Sequence, residues 1–134
     1  MNQSKQLRFI LFLAFAVMTS TGILALGNSS ATQKRKQSIK FEEFGFVNRG
    51  DLEARLDNLA VALQNDPGAQ TYIKFHSGRR LPPEEVQATA DFAKDYLVNS
   101  RDIDAGRIVT VDAGPNRNSS VEFWIVPQGA APPV

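Results

Sequence analysis

The chain has 134 residues, of which 43% are hydrophobic and 22% charged, a composition typical of one globular domain. Its 15 basic and 14 acidic side chains nearly cancel, which excludes a strongly basic nucleic-acid-binding protein. The absence of cysteine excludes disulfides, thiolate metal sites and a cysteine nucleophile. The single histidine, His76, also excludes a metal site built from several histidines.

Residues 1–27 have the composition of an export signal. Lys5 and Arg8 precede an apolar run at 9–26, and small residues at its end allow cleavage before Asn28. The run is barely long enough to span a bilayer, so an uncleaved N-terminal anchor is the alternative. Either reading predicts that the rest of the chain is exported.

A polar sequence and a proline-rich sequence flank the expected domain. Residues 28–38 form a predicted linker whose charge run, at 34–36, we interpret as solvated, with attraction to an anionic lipid or polymer as the alternative. Residues 127–134 are rich in Pro, Gly and Ala and are predicted to form an extended tail. The domain is therefore expected within 39–126.

The first part of the domain is predicted as a strand followed by a helix. Alternation of apolar residues at 39–47 breaks at Glu42 and Glu43, which indicates an irregular or edge strand. Its phenylalanines, Phe41, Phe44 and Phe46, are expected in the core. Asp51 is predicted to cap a helix that runs to about Gln64. One stripe of that helix is apolar: Leu52, Leu56, Leu59 and Leu63.

The second part is predicted as a strand, a helix and two further strands. These are a strand at 71–75, a helix at 83–100, and strands at 107–111 and 121–126, with turns at 65–68 and 112–120. The buried face of the helix is predicted to consist of Val86, Ala90, Ala93 and Leu97. This order of elements predicts an α/β (α+β) two-layer sandwich, with both helices on one face of a four-stranded sheet. Trp124 is expected on the other face, either capped by a loop or the tail or left partly open.

Several stretches of this second part follow a recognisable pattern. They are ADFAKDYL at 90–97, DIDAGRI at 102–108, Gly114, and NSSVE at 118–122. The pattern resembles the second half of the OmpA-like domain, over about residues 72–126. The resemblance implies a β-α-β-α-β-β fold and a peptidoglycan-associated protein of the periplasm, outer membrane or another part of the cell envelope.

The resemblance does not extend to the ligand-binding residues of that family. OmpA-like domains bind the diaminopimelate residue of peptidoglycan through an aspartate after the second strand and an arginine early in the following helix. Gly78 and Thr89 occupy these two positions, and Ser119 and Ser120 replace the two arginines of a family motif. The resemblance therefore implies a peptidoglycan site that is altered or lost.

His76, Arg79 and Arg80 are the candidate ligand-binding residues of this sequence. They lie between a predicted strand and the N-terminus of a helix, where free backbone N–H groups favour a carboxylate or phosphate. The alternative is that the arginines are solvated and pair with Glu84 or Glu85.

No catalytic constellation, metal site or cofactor motif is predicted. We therefore expect an exported, non-catalytic OmpA-like envelope module that binds or scaffolds, with peptidoglycan or an envelope protein as partner. Nucleic acid is not expected as a partner, and a membrane only through residues 9–26 if they are not cleaved. The alternative function is an enzyme of unknown type that uses His76 with Arg79 or Arg80.

Overall fold

The computed structural model describes residues 36–134. The predicted signal peptide or anchor at 1–27 and residues 28–35 of the predicted linker lie outside these residues. Neither helix of the described part is both long enough and apolar enough to cross a membrane.

Four strands and two helices follow one another in the predicted order. They are β1 (Ile39–Gly45), α1 (Arg49–Asn65), β2 (Gln70–Ser77), α2 (Pro83–Arg101), β3 (Ile108–Pro115) and β4 (Ser120–Val126), with a 3-10 turn at Ala105–Arg107. In the sheet the strands lie in the order β1-β4-β2-β3. Strand β4 is antiparallel to both of its neighbours, whereas β2 and β3 are parallel. The predicted mixed α/β fold is confirmed.

The core lies between the helices and one face of the sheet. The predicted leucine stripe of α1 and the predicted face of α2 are both buried, which confirms the helical periodicity. The sheet contributes Ile73, Phe75, Val121 and Phe123, each at most 1% exposed. Burying each such side chain stabilises the fold by about 1.5–3 kcal/mol.

The opposite face of the sheet, here called the open face, carries polar and aromatic side chains. Cross-strand pairing places Tyr72 beside Trp124, Lys74 beside Glu122, and His76 beside Ser120. Because paired residues point to the same side of a sheet, these six side chains form three adjacent rows. Trp124 therefore lies on the face predicted for it.

Strand β1 is an irregular edge strand, as predicted, but not all of its phenylalanines are in the core. A bulge between Lys40 and Glu42 shifts the register of its pairing with β4 and breaks the alternation of side chains. Phe41 lies at this bulge and is 38% exposed, so its predicted core position is wrong. Phe44 and Phe46 do pack against the core.

Two predicted element boundaries are also wrong. The N-cap of α1 is Asn48, whose Oδ1 accepts a hydrogen bond of 3.0 Å from the backbone N–H of Asp51. Both residue types cap helices, and Asn48 is the one with extended backbone angles. Strand β3 continues to Pro115 because Asp112 and Pro115 pair with β2, so the predicted turn at 112–120 shortens to 116–119.

Candidate functional site

The connection between β2 and α2 is a tight turn with two arginines at its tip. The backbone N–H of Gly78 donates to the carbonyl of Leu81 at 2.8 Å, and the Leu81 side chain is completely buried. Arg79 and Arg80, between these two anchors, are exposed. The turn, called here the arginine loop (residues 78–81), therefore presents both guanidinium groups to solvent.

A buried serine holds this loop in place. The hydroxyl of Ser119 accepts hydrogen bonds from the backbone N–H groups of Arg80 at 2.9 Å and Leu81 at 2.7 Å. The backbone carbonyl of Ser119 accepts a third hydrogen bond, of 3.2 Å, from the N–H of Phe46. Ser119 thus ties together the connection after β1, the arginine loop and the loop before β4.

Close backbone packing at the same point explains the glycine at position 78. A Cβ atom on Gly78 would lie 2.6 Å from the backbone nitrogen of Ser119 and 2.9 Å from the carbonyl oxygen of Asn116. These contacts are with backbone, which cannot move aside easily. Position 78, where the OmpA-like resemblance would place an aspartate, therefore has no room for a side chain.

Both arginines line a cavity of about 330 Å³. The cavity is completed by Gly45, Phe46, Asn118 and Ser119. Among residues 36–134, no carboxylate lies within 4.0 Å of either guanidinium. The alternative pairing with Glu84 or Glu85 is not formed, so the two positive charges are open to an anion from solution.

Apolar surface adjoins the arginine cavity. A second depression, of about 480 Å³, is lined by Phe46, Val47, Asn48 and Asp51 and again by Arg80. Thr89, at the position of the family's arginine, lines a third depression next to Phe46 and Val47. Its hydroxyl is engaged, since it donates to the carbonyl of Glu85 at 2.9 Å. All three depressions share Phe46, so the charged cavity is one end of a longer groove that passes this aromatic ring.

The structure places His76 apart from the two arginines. Its side chain lies on the open face, with Nε2 3.5 Å from Oε1 of Glu122 and without a hydrogen-bond partner among the described residues. Burial raises the pKa of Glu122, but the hydrogen bond from Trp124 and the ammonium of Lys40 outweigh it and hold the pKa below its ordinary value. His76 therefore faces a carboxylate, not the arginine cavity.

Sequence reasoning found the two arginines but missed the groups that position them. The hydroxyl of Ser119 and the aromatic floor at Phe46 come from segments far along the chain. The one sequence feature that pointed to these groups was that Gly78 and Ser119 both differ from the OmpA-like pattern. In the structure the two residues pack directly against each other.

The described residues offer no group of three or more His, Asp or Glu side chains that could hold a metal ion. In comparisons with known proteins, the chain matches no protein-family model and no curated protein.

Proposed function

We propose that the domain is an exported, non-catalytic module of the cell envelope that binds an anionic ligand through Arg79 and Arg80. The observation that carries the proposal is a pair of exposed arginines, without carboxylate partners among residues 36–134, on a loop fixed by a buried serine. The resemblance to OmpA-like domains favours a carboxylate of the peptidoglycan stem peptide as the ligand.

The fixed loop is what makes this pair of arginines a plausible binding site. A flexible loop would lose conformational entropy when a ligand orders it, whereas the backbone here is already held at Arg80 and Leu81. A guanidinium group also offers two parallel N–H donors, which match the geometry of a carboxylate. The neighbouring Phe46 gives the aliphatic part of a ligand an apolar surface to contact.

The site we propose differs in chemistry from that of OmpA-like domains. Those domains use an acid for the ammonium group of diaminopimelate and an arginine for its carboxylate. Here the acid position is Gly78, which is closed by backbone, and the positive charge comes from the arginine loop instead. We therefore propose a site that selects for the carboxylate of its ligand and not for the ammonium group.

The alternative of an enzyme that uses His76 with Arg79 or Arg80 stays a prediction. No feature of the described geometry favours it, because His76 faces Glu122 on the open face.

Calorimetric titration of the chain lacking residues 1–27 with a soluble stem-peptide fragment of peptidoglycan tests the proposal. Arg79→Ala/Arg80→Ala should weaken binding at least about tenfold, since each charged contact contributes roughly 1.5–3 kcal/mol. Arg117→Ala is the matched control, because Arg117 is an exposed arginine of the adjacent loop. Added salt should also weaken binding by the parent protein.

Equal affinities for the parent and the double variant, or no binding by the parent, would contradict the proposal. Export is a separate question. Mass spectrometry of the protein from an envelope fraction should find an N-terminus near Asn28 if the predicted signal is cleaved, and an intact Met1 in the cytosol would contradict export.

A further inference from the structure

The last eight residues return across the open face of the sheet. Strand β4 ends at Val126, which pairs with Gln70, and the chain then turns where the N–H of Ala130 donates to the carbonyl of Pro127 at 2.9 Å. Four residues later, the carbonyl oxygen of Val134 accepts a hydrogen bond of 3.1 Å from Nζ of Lys74. The path from Val126 to Lys74 passes the row formed by Tyr72 and Trp124.

The burial of Val126 independently indicates that this segment covers the open face. Val126 is 4% exposed, yet it is not part of the hydrophobic cluster between the helices and the sheet. Strand alternation from Glu122 and Trp124 places its side chain on the open face. A valine on that face is buried by the side chains of the adjacent rows together with any chain that lies over it, and residues 127–134 follow it directly and turn back.

The contacts of this segment are those of a bound peptide and not of a fifth strand. Within residues 36–134 it forms no backbone ladder with the sheet, and Pro132 and Pro133 have no N–H to donate. Its described polar contact with the sheet is the bond from Lys74. Extended proline-containing segments that lie on aromatic side chains are a recurring mode of peptide recognition.

We propose that the open face is a binding surface for extended, proline-containing chain segments, and that residues 130–134 are its resident ligand. Lys74 binds a main-chain oxygen of the segment, and the half-buried Pro133, unlike the exposed Pro132 and Val134, is the residue that we assign to the Tyr72–Trp124 row. Because the segment is not hydrogen-bonded into the sheet, a segment of the same chemistry from another protein can replace it.

The single tryptophan of the chain reports directly on this surface. In the full chain, Pro132→Gly/Pro133→Gly/Val134→Ser should shift Trp124 emission to longer wavelength and increase its quenching by acrylamide. A synthetic peptide, Gly-Ala-Ala-Pro-Pro-Val, added to this variant should reverse both changes. Adding Lys74→Ala to the variant should weaken binding of the peptide at least about tenfold, the effect of losing one hydrogen bond from a charged group.

Two control variants test whether the changes in Trp124 fluorescence are specific to the open face. Lys94→Ala, on α2, and Arg79→Ala/Arg80→Ala should leave Trp124 emission and quenching as in the parent. Far-UV circular dichroism and the Tm of each variant establish that it is folded, and Lys74→Ala alone provides a second route to release the segment.

The proposal would be overturned if Trp124 emission and quenching were unchanged both in Lys74→Ala and in the triple substitution at 132–134, here called the tail variant. A tail variant that exposes Trp124 but does not respond to millimolar peptide would overturn it too, because the segment would then be a fixed cover and not an exchangeable ligand.

Discussion

Ser119 and Gly78 are small residues because two loops meet backbone to backbone at this point. The Ser119 side chain is 4% exposed and accepts two backbone N–H groups, a role that neither alanine nor a long arginine can fill. Arg79 and Arg80 depend on this arrangement together with the Gly78–Leu81 hydrogen bond and the buried Leu81 side chain. The position of the proposed binding residues thus depends on two neighbours that do not themselves carry charge.

Ser119→Ala should destabilise the protein by about 2 kcal/mol, because it leaves two N–H groups without their acceptor in a buried place. Ser120→Ala is the matched control. The hydroxyl of Ser120 has no hydrogen-bond partner among the described residues, so its removal should change the free energy of unfolding by only a few tenths of a kcal/mol. Urea denaturation of both variants checks this, and equal destabilisation would contradict the role given to Ser119.

The candidate site of Arg79 and Arg80 was predicted from the sequence and stays a prediction, whereas the groups that hold their loop were not predicted. The arginines were recognisable from local order, since they stand between a strand and the start of a helix. The bond from Arg80 to Ser119 joins residues 39 positions apart, and no local pattern reports such a distance. Phe41 was placed in the core wrongly for a related reason, because its exposure depends on how β1 pairs with β4.

At the scale of elements, the C-terminus of α1 is capped by a side chain from a different element. Arg107, at the end of the 3-10 turn before β3, donates from Nη2 to the carbonyls of Leu63 at 2.7 Å and Asp66 at 2.8 Å, and from Nε to that of Ala69 at 2.8 Å. The last turn of α1 has no basic residue of its own. The guanidinium therefore satisfies the carbonyl of Leu63, whose helical partner four residues on would be Pro67 without an N–H.

Arg107→Ala should lower the free energy of unfolding by about 2 kcal/mol, through loss of these charged hydrogen bonds. Arg107→Lys should recover only part of that loss, because an ammonium group cannot reproduce the fork of N–H donors. Thermal and urea denaturation measure both. A lysine variant as stable as the parent would show that charge alone suffices at this position.

The two helices are joined by a second polar cluster. Asp57 of α1 accepts hydrogen bonds from Arg101 and from the hydroxyl of Tyr96, both on α2, at 2.5–2.8 Å. The hydrogen bonds from Arg101 and then Tyr96 hold the pKa of Asp57 below its ordinary value of 3.8. The carboxylate is therefore ionised in the folded protein at a pH where it would be protonated in the unfolded chain.

Because folding lowers the pKa of Asp57, its carboxylate stabilises the fold at every pH above the pKa that it has in the unfolded chain. This stabilisation is lost as the pH falls through the pKa of the folded state. The difference in unfolding free energy between the parent and Asp57→Asn should be constant above about pH 5 and shrink at lower pH. Because Asp57 is 40% exposed, the effect should be modest. Urea denaturation at a series of pH values measures it, with Asp95→Asn as control. A difference that does not change with pH would contradict the cluster's role.

Element types followed closely from the sequence, whereas their ends did not. The buried faces of α1 and α2 were predicted from spacing because both helices lie against the same sheet. Asn48 and Asp51 could each have capped α1, and only the backbone geometry separates them. The length of β3 was underestimated because Asp112 and Gly114 are typical turn residues, which pairing with β2 overrides.

At the scale of the whole molecule, the topology gathers the connections that form the groove. The C-terminal ends of strands β1, β2 and β3 lie at the same end of the sheet as the start of β4. The pairings of Gly45 and His76 with Ser120 show this. The connections that follow these three strands therefore meet there. The order of elements predicted two layers, but the position of β4 between β1 and β2 requires long-range pairing that periodicity does not reveal.

The sharpest test of the arginine loop as a binding site is to map the bound ligand by NMR. A soluble stem-peptide fragment of peptidoglycan is titrated into ¹⁵N-labelled protein, and backbone amide and arginine Nε signals are followed. We expect the largest shifts at Arg79, Arg80 and Asn118, while the indole N–H of Trp124 on the open face does not move. Shifts confined to other parts of the protein, or a saturating excess of fragment that moves no signal, would contradict the arginine loop as the binding site.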